Sequence, residues 1–124
     1  MNHEKRSCVA FICALQLKLI DTNYIYDCVN HVYRRYHVLR TLKEDRRNIY
    51  DYQRRTYMVA SFPNIFDCAS GKYVNILMNK NTFRGYDYES ESHFQGEVIG
   101  EMVRIYDYRQ AAHFYYRLYG VKGV

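Results

Sequence analysis

The pattern of hydrophobic and polar positions predicts two helices in the first forty residues. Over residues 4–20, apolar side chains recur every three or four positions from Cys8 to Leu19, which is typical of a helix buried on most of its circumference. The polar residues from Asp21 to Asn23 can cap a second helix. A connection this short predicts an antiparallel helical hairpin. The apolar positions of the second helix are Ile25, Cys28, Val29, Val32, Tyr36 and Leu39.

From about residue 55 the pattern changes to short runs of β-branched and aromatic residues. Thr56–Phe62 reads as a strand that ends at Pro63, and Lys72–Met78 reads as a second strand after Gly71. Thr82–Tyr88 follows a polar turn and is consistent with a third strand. These segments predict a small antiparallel sheet of two or three strands.

The last thirty residues predict a long helix. Ser92 and Gln95 fit a capping box, and Gly120 is placed to end the helix. Gly96 and Gly100 then predict close approach of another backbone, by packing or as a dimer seam. The fold class expected is therefore α+β in one domain over 1–124: an N-terminal helical hairpin, a small antiparallel sheet and a long C-terminal helix. The stripe of that helix would be Phe94, Val98, Met102, Ile105, Arg109, Ala112 and Tyr116.

Composition adds an unusual excess of tyrosine. The chain has 15 tyrosines and no tryptophan, and many of the tyrosines neighbour arginine. Tyrosine combines a large apolar ring with a polar tip and loses little entropy when it is fixed. Arginine adds a planar cation that stacks on rings and pairs with phosphate or carboxylate. The combination is typical of a binding surface.

The charge is concentrated in one stretch of the chain. Eight basic and three acidic residues lie between Arg34 and Arg55, so this stretch alone carries a net charge equal to the +5 of the chain. Glutamates and aspartates outnumber basic residues from Asp87 to Glu101. A basic segment interleaved with aromatic rings favours an anionic partner.

Nucleic acid, DNA or RNA, is the partner that this segment suits best, because arginines neutralise phosphates and tyrosines stack on unpaired bases. A purely structural role, in which the tyrosines pack inward and the arginines pair with the acidic stretch, is equally consistent with these residues. The predicted nucleic-acid-binding residues are Arg34, Arg35, Tyr36, Arg40, Arg46, Arg47, Tyr50, Tyr52, Arg54, Arg55 and Tyr57.

A protein partner is the alternative. Tyrosine and arginine are enriched at the centres of protein interfaces, where lysine is depleted. An acidic protein surface would suit the basic segment, and a homodimer through the C-terminal helix would suit Gly96 and Gly100. In this alternative the chain is a regulatory subunit, adaptor or inhibitor.

Catalytic, metal and cofactor signatures are weak. The chain has no GxSxG, HExxH or phosphate-binding glycine loop, so we predict no enzyme activity and no cofactor. Cys28 and His31 are spaced for one helical face, but Cys8 and Cys13 point away from each other on a helix, which disfavours a four-ligand zinc site.

The N-terminal apolar run is short and is interrupted by Gln16 and Lys18, which argues against a signal peptide, although a signal peptide would make disulfides plausible. No stretch reaches the roughly 20 apolar residues that a membrane helix needs. We therefore expect an intracellular protein, in the cytoplasm or nucleus, with reduced cysteines.

The tetrapeptide Ile–Tyr–Asp followed by cysteine or tyrosine recurs at residues 25–28, 49–52 and 105–108. The intervals between these copies are unequal. With tyrosine so frequent, chance is the simpler interpretation of the recurrence.

Overall fold

A computed structural model describes residues 1–18, 20–40 and 46–121. Within these residues the chain forms one helix followed by a closed barrel of ten antiparallel strands. Each strand pairs with its neighbours along the chain, and the first strand closes the barrel against the last. The elements are α1 (His3–Lys18), β1 (Tyr24–Asp27), β2 (Val32–Arg40), β3 (Arg47–Asp51), β4 (Thr56–Ser61), β5 (Asn64–Asp67), β6 (Lys72–Asn79), β7 (Thr82–Asp87), β8 (Ser92–Ile99), β9 (Met102–Asp107) and β10 (Ala112–Arg117).

The helix occupies the interior of the barrel. Every residue from Lys5 to Leu15 is buried, so three turns of α1 are covered on their whole circumference. A barrel of about eight strands is filled by its own side chains, and ten strands leave additional room. The helix fills that room and packs on the inward side chains, as where the Phe11 and Tyr36 rings stack with centroids 4.5 Å apart. The hydrophobic core is therefore built between α1 and the inner wall.

The expected α+β fold class is wrong. The first helix is confirmed as α1, but the second predicted helix is β1 and β2, with the turn between them. The prediction of a helix was wrong because β2 lacks the usual alternation of apolar inward and polar outward residues. In β2 the buried Tyr36 shares the inward side with a charged residue, Arg34, whereas the exposed side carries Tyr33 and Leu39.

The long C-terminal helix is also wrong, since residues 92–117 form β8, β9 and β10. Phe94 and Val98 are four residues apart, and this spacing places two side chains on one face of a strand as well as on one face of a helix. The homodimer expected through that helix therefore loses its basis. The three predicted strands are confirmed as β4, β6 and β7.

Gly96 is half-buried in the wall of the barrel and does not lie in a helix seam. It pairs with Phe83 across β7 and β8, and an added Cβ would lie 2.2 Å from the Arg104 carbonyl oxygen and 2.6 Å from the Phe83 ring. Gly85 is similarly covered by the ring of Phe94. Both glycines make room for an aromatic ring on the neighbouring strand and bring the backbones of β6–β9 close together.

We expect Gly96→Ala to lower the free energy of unfolding by about 2–3 kcal/mol, because the neighbouring backbone carbonyl must move. Gly71→Ala is the matched control. Gly71 has open space around it but a φ of 69°, so its substitution should cost only about 1 kcal/mol. Urea unfolding followed by circular dichroism measures both values. A Gly96→Ala variant at least as stable as Gly71→Ala would contradict the packing described for β7–β9.

Candidate binding surface

Five copies of one hairpin turn lie at the same end of the barrel. Each turn follows β1, β3, β5, β7 or β9, whose last residue is a buried aspartate. The residue four positions after each aspartate has a positive φ, from 52° to 69°. We call this the aspartate end, and its five carboxylates the aspartate ring. The ring is Asp27, Asp51, Asp67, Asp87 and Asp107, and the positive-φ residues are His31, Arg55, Gly71, Glu91 and Ala111.

Each ring aspartate holds its own turn. The side chain of Asp27 accepts a hydrogen bond from the backbone N–H of Val29 at 3.0 Å, and Asp107 accepts one from Arg109 at 3.1 Å. The other three aspartates accept the equivalent bond from the residue two positions later. An aspartate that caps its own turn is common in proteins, but five buried carboxylates in one ring need compensating positive charge.

The N-terminal turns of α1 bring part of this charge into the ring. The Lys5 ammonium is fully buried and lies 2.8 Å from Asp87, 2.9 Å from Glu89 and 3.6 Å from Asp67. Arg6 lies 3.0 Å from Asp107, and the Met1 amino group lies 3.1 Å from the same carboxylate. The positive end of the helix dipole points the same way. The ring therefore anchors the helix inside the barrel.

Two arginines from the wall complete the network. Arg34 on β2 lies 3.1 Å from Asp27. Arg54, in the turn after β3, lies 2.9 Å from Asp51 and 3.2 Å from Asp67, so it joins two neighbouring turns. These contacts place Arg34 and Arg54 in the structural interior of the aspartate end.

The network favours the charged forms of Lys5 and Asp87. Burial alone would lower the pKa of Lys5, but hydrogen bonds to Asp87 and Glu89 outweigh burial and raise that pKa. For Asp87 burial acts upward, yet hydrogen bonds from Lys5 and Ser90 bring the pKa below its ordinary value. Asp87 therefore stabilises the fold until the pH falls below about 4, and Lys5 does so until the pH rises above about 10.

The outward side of β2–β4 carries aromatic and basic side chains, in contrast to the carboxylates of the aspartate ring. We call its aromatic and basic set the tyrosine–arginine face. Arg35 lies over the Tyr52 ring at 5.3 Å from the centroid, and Tyr50 packs edge-on against Tyr52 and Tyr57. Tyr52 is 47% exposed and Tyr57 is 41% exposed, so the ring faces remain accessible. The face comprises Tyr33, Arg35, Tyr50, Tyr52, Arg55 and Tyr57.

A second group of tyrosines extends this face toward β1. Tyr33 lies 4.9 Å from Tyr26 and 5.9 Å from Tyr24, and Tyr119 lies 5.1 Å from Tyr24, all measured between ring centroids. Arg117 on β10 is exposed and pairs across strands with Tyr26. The aromatic and basic surface is therefore continuous from β10 across β1 to β4.

The described parts of β1–β4 and β10, with the turn residues between β1 and β2 and between β3 and β4, have no carboxylate on their outer side. Asp27 and Asp51 are the acidic residues of these segments, and both are buried in the aspartate ring. The fold thus separates charges that alternate along the sequence. Acids of this arc point inward to Arg34 and Arg54, whereas Arg35 and Arg55 point outward.

The predicted nucleic-acid-binding residues are divided by this separation. Arg35, Tyr50, Tyr52, Arg55 and Tyr57 share the outer face, as predicted for one surface. The structure does not bring the others to it in the same way.

Three predicted residues face inward instead. Tyr36 is fully buried against Phe11, and Arg34 and Arg54 bind ring aspartates, so none of the three is placed to touch a ligand on the outer face. Arg47 lies in the inward register of β3, two residues before the buried Ile49. Arg46 is exposed just before β3, and Arg40 ends β2.

The possible metal ligands are not assembled. Cys28 is half-buried and His31 is exposed, and both lie in the turn after β1 rather than on a helix. Cys8 and Cys13 are buried in α1, where burial raises the pKa of both thiols. Among the residues that the structure describes, no group of three or more His, Cys, Asp or Glu side chains is placed to hold a metal ion. The described part of the chain also holds no helix with the length and apolarity that a membrane crossing needs.

Comparison of the chain with models of known protein families, with curated proteins and with solved structures finds no match.

Proposed function

We propose that this chain is a non-catalytic binding protein that takes single-stranded nucleic acid on the tyrosine–arginine face. The observation that carries the proposal is the charge separation across the barrel wall. The carboxylates of β1 and β3 are turned inward and neutralised, so the outer side of the same strands presents arginine and tyrosine without a described acidic neighbour. Such a surface attracts a polyanion and repels few of its charges.

The geometry favours single strands over duplexes. Arg35, Arg55 and Arg117 are exposed and can each contact a phosphate. The exposed rings beside them can stack on unpaired bases, at about 1–3 kcal/mol per base, but cannot reach bases that are stacked within a duplex. A sheet surface with aromatic rings and flanking cations is a common arrangement for single-stranded RNA and DNA.

Fluorescence anisotropy with labelled single- and double-stranded oligonucleotides tests the proposal. We expect the single strands to bind more tightly and the affinity to fall linearly with the logarithm of salt concentration. Three phosphate contacts predict a slope of about −2 for a single strand. Affinities for DNA and RNA of the same base sequence are then compared, which shows whether the face prefers one of the two nucleic acids.

Two double variants locate the site. Arg35→Gln with Arg55→Gln should weaken binding by about tenfold or more and reduce the magnitude of the salt slope by about 1.4. Lys72→Gln with Lys80→Gln is the matched control, because Lys72 and Arg35 are exposed on strands and Lys80 and Arg55 are exposed at positive φ. Equal losses of oligonucleotide affinity in the two double variants would show that the tyrosine–arginine face is not the binding site. An affinity that does not change with salt concentration would contradict nucleic-acid binding. A protein partner would then be the remaining candidate for the same surface.

A further inference from the structure

Two matching aromatic triads stand on the outer side of β7–β10, outside the tyrosine–arginine face of β2–β4. Each triad consists of the aromatic residue before a ring aspartate, the tyrosine after that aspartate and a histidine on the next strand. In the first, Tyr86 lies 4.8 Å from both Tyr88 and His93. In the second, Tyr106 lies 4.9 Å from Tyr108 and 4.8 Å from His113. The triads repeat because their hairpins repeat.

Arg84 and Gln95 lie between the two triads. Arg84 pairs across strands with Gln95, and Gln95 pairs in turn with Tyr106. Arg84 is also two residues from Tyr86 on the same side of β7, and Gln95 is two residues from His93 on the same side of β8. A cation and an amide are therefore held beside aromatic rings of both triads.

This part of the wall is concave on its outer side. Two adjoining depressions of about 570 and 560 Å³ share Leu77, Arg84 and Gln95. Gly96 contributes to the lining of the first depression and Gly85 to the lining of the second. We call these joined depressions the aromatic groove. Leu77 and Tyr108 line it, and both are about half exposed at 50% and 51%.

The guanidinium of Arg84 forms no ion pair with a described residue. Arg104, which lines the same groove, forms an ion pair with Glu97. The Arg84 side chain is exposed and has no hydrogen bond or ion pair to any described residue. Its guanidinium can donate two parallel hydrogen bonds to one carboxylate or phosphate, and the side-chain amide of Gln95 can add another.

We propose that the aromatic groove binds a small aromatic anion, with the anionic oxygens on Arg84 and Gln95 and the ring against Tyr86, His93 and Tyr108. Pockets of this size hold small ligands by apolar and aromatic walls and orient them with a few polar groups. The groove is separate from the tyrosine–arginine face, and this proposal does not depend on nucleic-acid binding. The rim residue Glu97 disfavours a long polyanion here.

Amide chemical-shift titrations with matched ligand pairs test the groove. Indole-3-acetate and its neutral analogue tryptophol form one pair, and adenosine monophosphate and adenosine form the other, so that a carboxylate and a phosphate are compared. We expect at least one anion to bind with a dissociation constant below about 1 mM and its neutral analogue to bind at least about tenfold more weakly. The largest shifts should fall on Gly85, Gln95 and Gly96.

Arg84→Gln should weaken binding of that anion by at least about tenfold, whereas Arg35→Gln, on β2 at the opposite side of the barrel from β7, should leave it unchanged. Inorganic phosphate and acetate alone should not produce the groove shifts, because they lack the ring. Absence of binding by both anions, equal binding of the neutral analogues, or an unchanged affinity in Arg84→Gln would overturn the proposal.

Discussion

Lys5→Met is expected to lower the free energy of unfolding by about 3–5 kcal/mol, which is a large part of the stability of a domain of this size. The Lys5 ammonium is fully buried and contacts Asp87, Asp67 and Glu89. Methionine fills a similar volume but leaves the two buried carboxylates without this cation. Urea unfolding followed by circular dichroism measures the loss.

Lys18→Met is the matched control, since Lys18 is on the same helix and no ion pair holds it within the described residues. It should cost less than about 1 kcal/mol, mainly by removing a favourable charge from the C-terminal turn of the helix. Asp87→Asn combined with Lys5→Met should restore part of the stability, because one uncompensated charge is removed. If Lys5→Met is as stable as Lys18→Met, α1 is not anchored by the aspartate ring.

The neighbouring arginines Arg54 and Arg55 are expected to give opposite phenotypes. Arg54→Gln should lower the free energy of unfolding by about 3 kcal/mol, because Arg54 joins the buried carboxylates of Asp51 and Asp67. Arg55→Gln should change stability by less than about 0.5 kcal/mol, since Arg55 is exposed in the same turn.

For nucleic-acid affinity the expected effects of the two substitutions are reversed. Arg55→Gln is expected to weaken binding, and Arg54→Gln is expected to bind normally under conditions in which it is folded. The two substitutions remove the same charge from adjacent positions, so chain-wide electrostatics do not distinguish them. A loss of affinity in folded Arg54→Gln that equals the loss in Arg55→Gln would show that the inward and outward arginines are not functionally separate.

This division explains why the residues that the linear sequence assigned to one surface lie on both sides of the barrel wall. Pairs such as Arg34–Arg35 and Arg54–Arg55 read as single basic patches along the chain. In a strand, adjacent side chains point to opposite faces, and in the turn after β3 Arg54 reaches back to Asp51. The tyrosine–arginine combination did indicate an outer surface, but the sequence pattern did not show which arginine of each pair would reach it.

The fold was obscured by an inverted pattern at the aspartate end. There the inward positions carry charged residues such as Asp27 and Arg34, and the outward positions carry tyrosines such as Tyr26 and Tyr33. The usual rule for a strand, with apolar residues inward and polar residues outward, therefore fails over several residues of each hairpin. β4 and β6 keep more of the ordinary alternation, and both were predicted correctly.

The strongest signal for the barrel was present in the sequence as the recurring Ile–Tyr–Asp. Its copies at residues 25–27, 49–51 and 105–107 are related to Ile65–Asp67 and Gly85–Asp87, each a β-strand end with an aromatic residue before the aspartate. Allowing phenylalanine and glycine in the pattern recovers all five turns. The role of Lys5 and Arg6 was not predictable in the same way, because it depends on the helix lying inside the closed barrel.

An amide chemical-shift map of the barrel, titrated with a single-stranded oligonucleotide, shows directly whether the tyrosine–arginine face binds nucleic acid. We expect the largest shifts at Arg35, Tyr52 and Arg55 on the outer side of β2–β4, with small shifts at the buried Asp27 and Asp51 and in the aromatic groove. Shifts concentrated on β6–β9, or no shifts at oligonucleotide concentrations of about 1 mM, would contradict it.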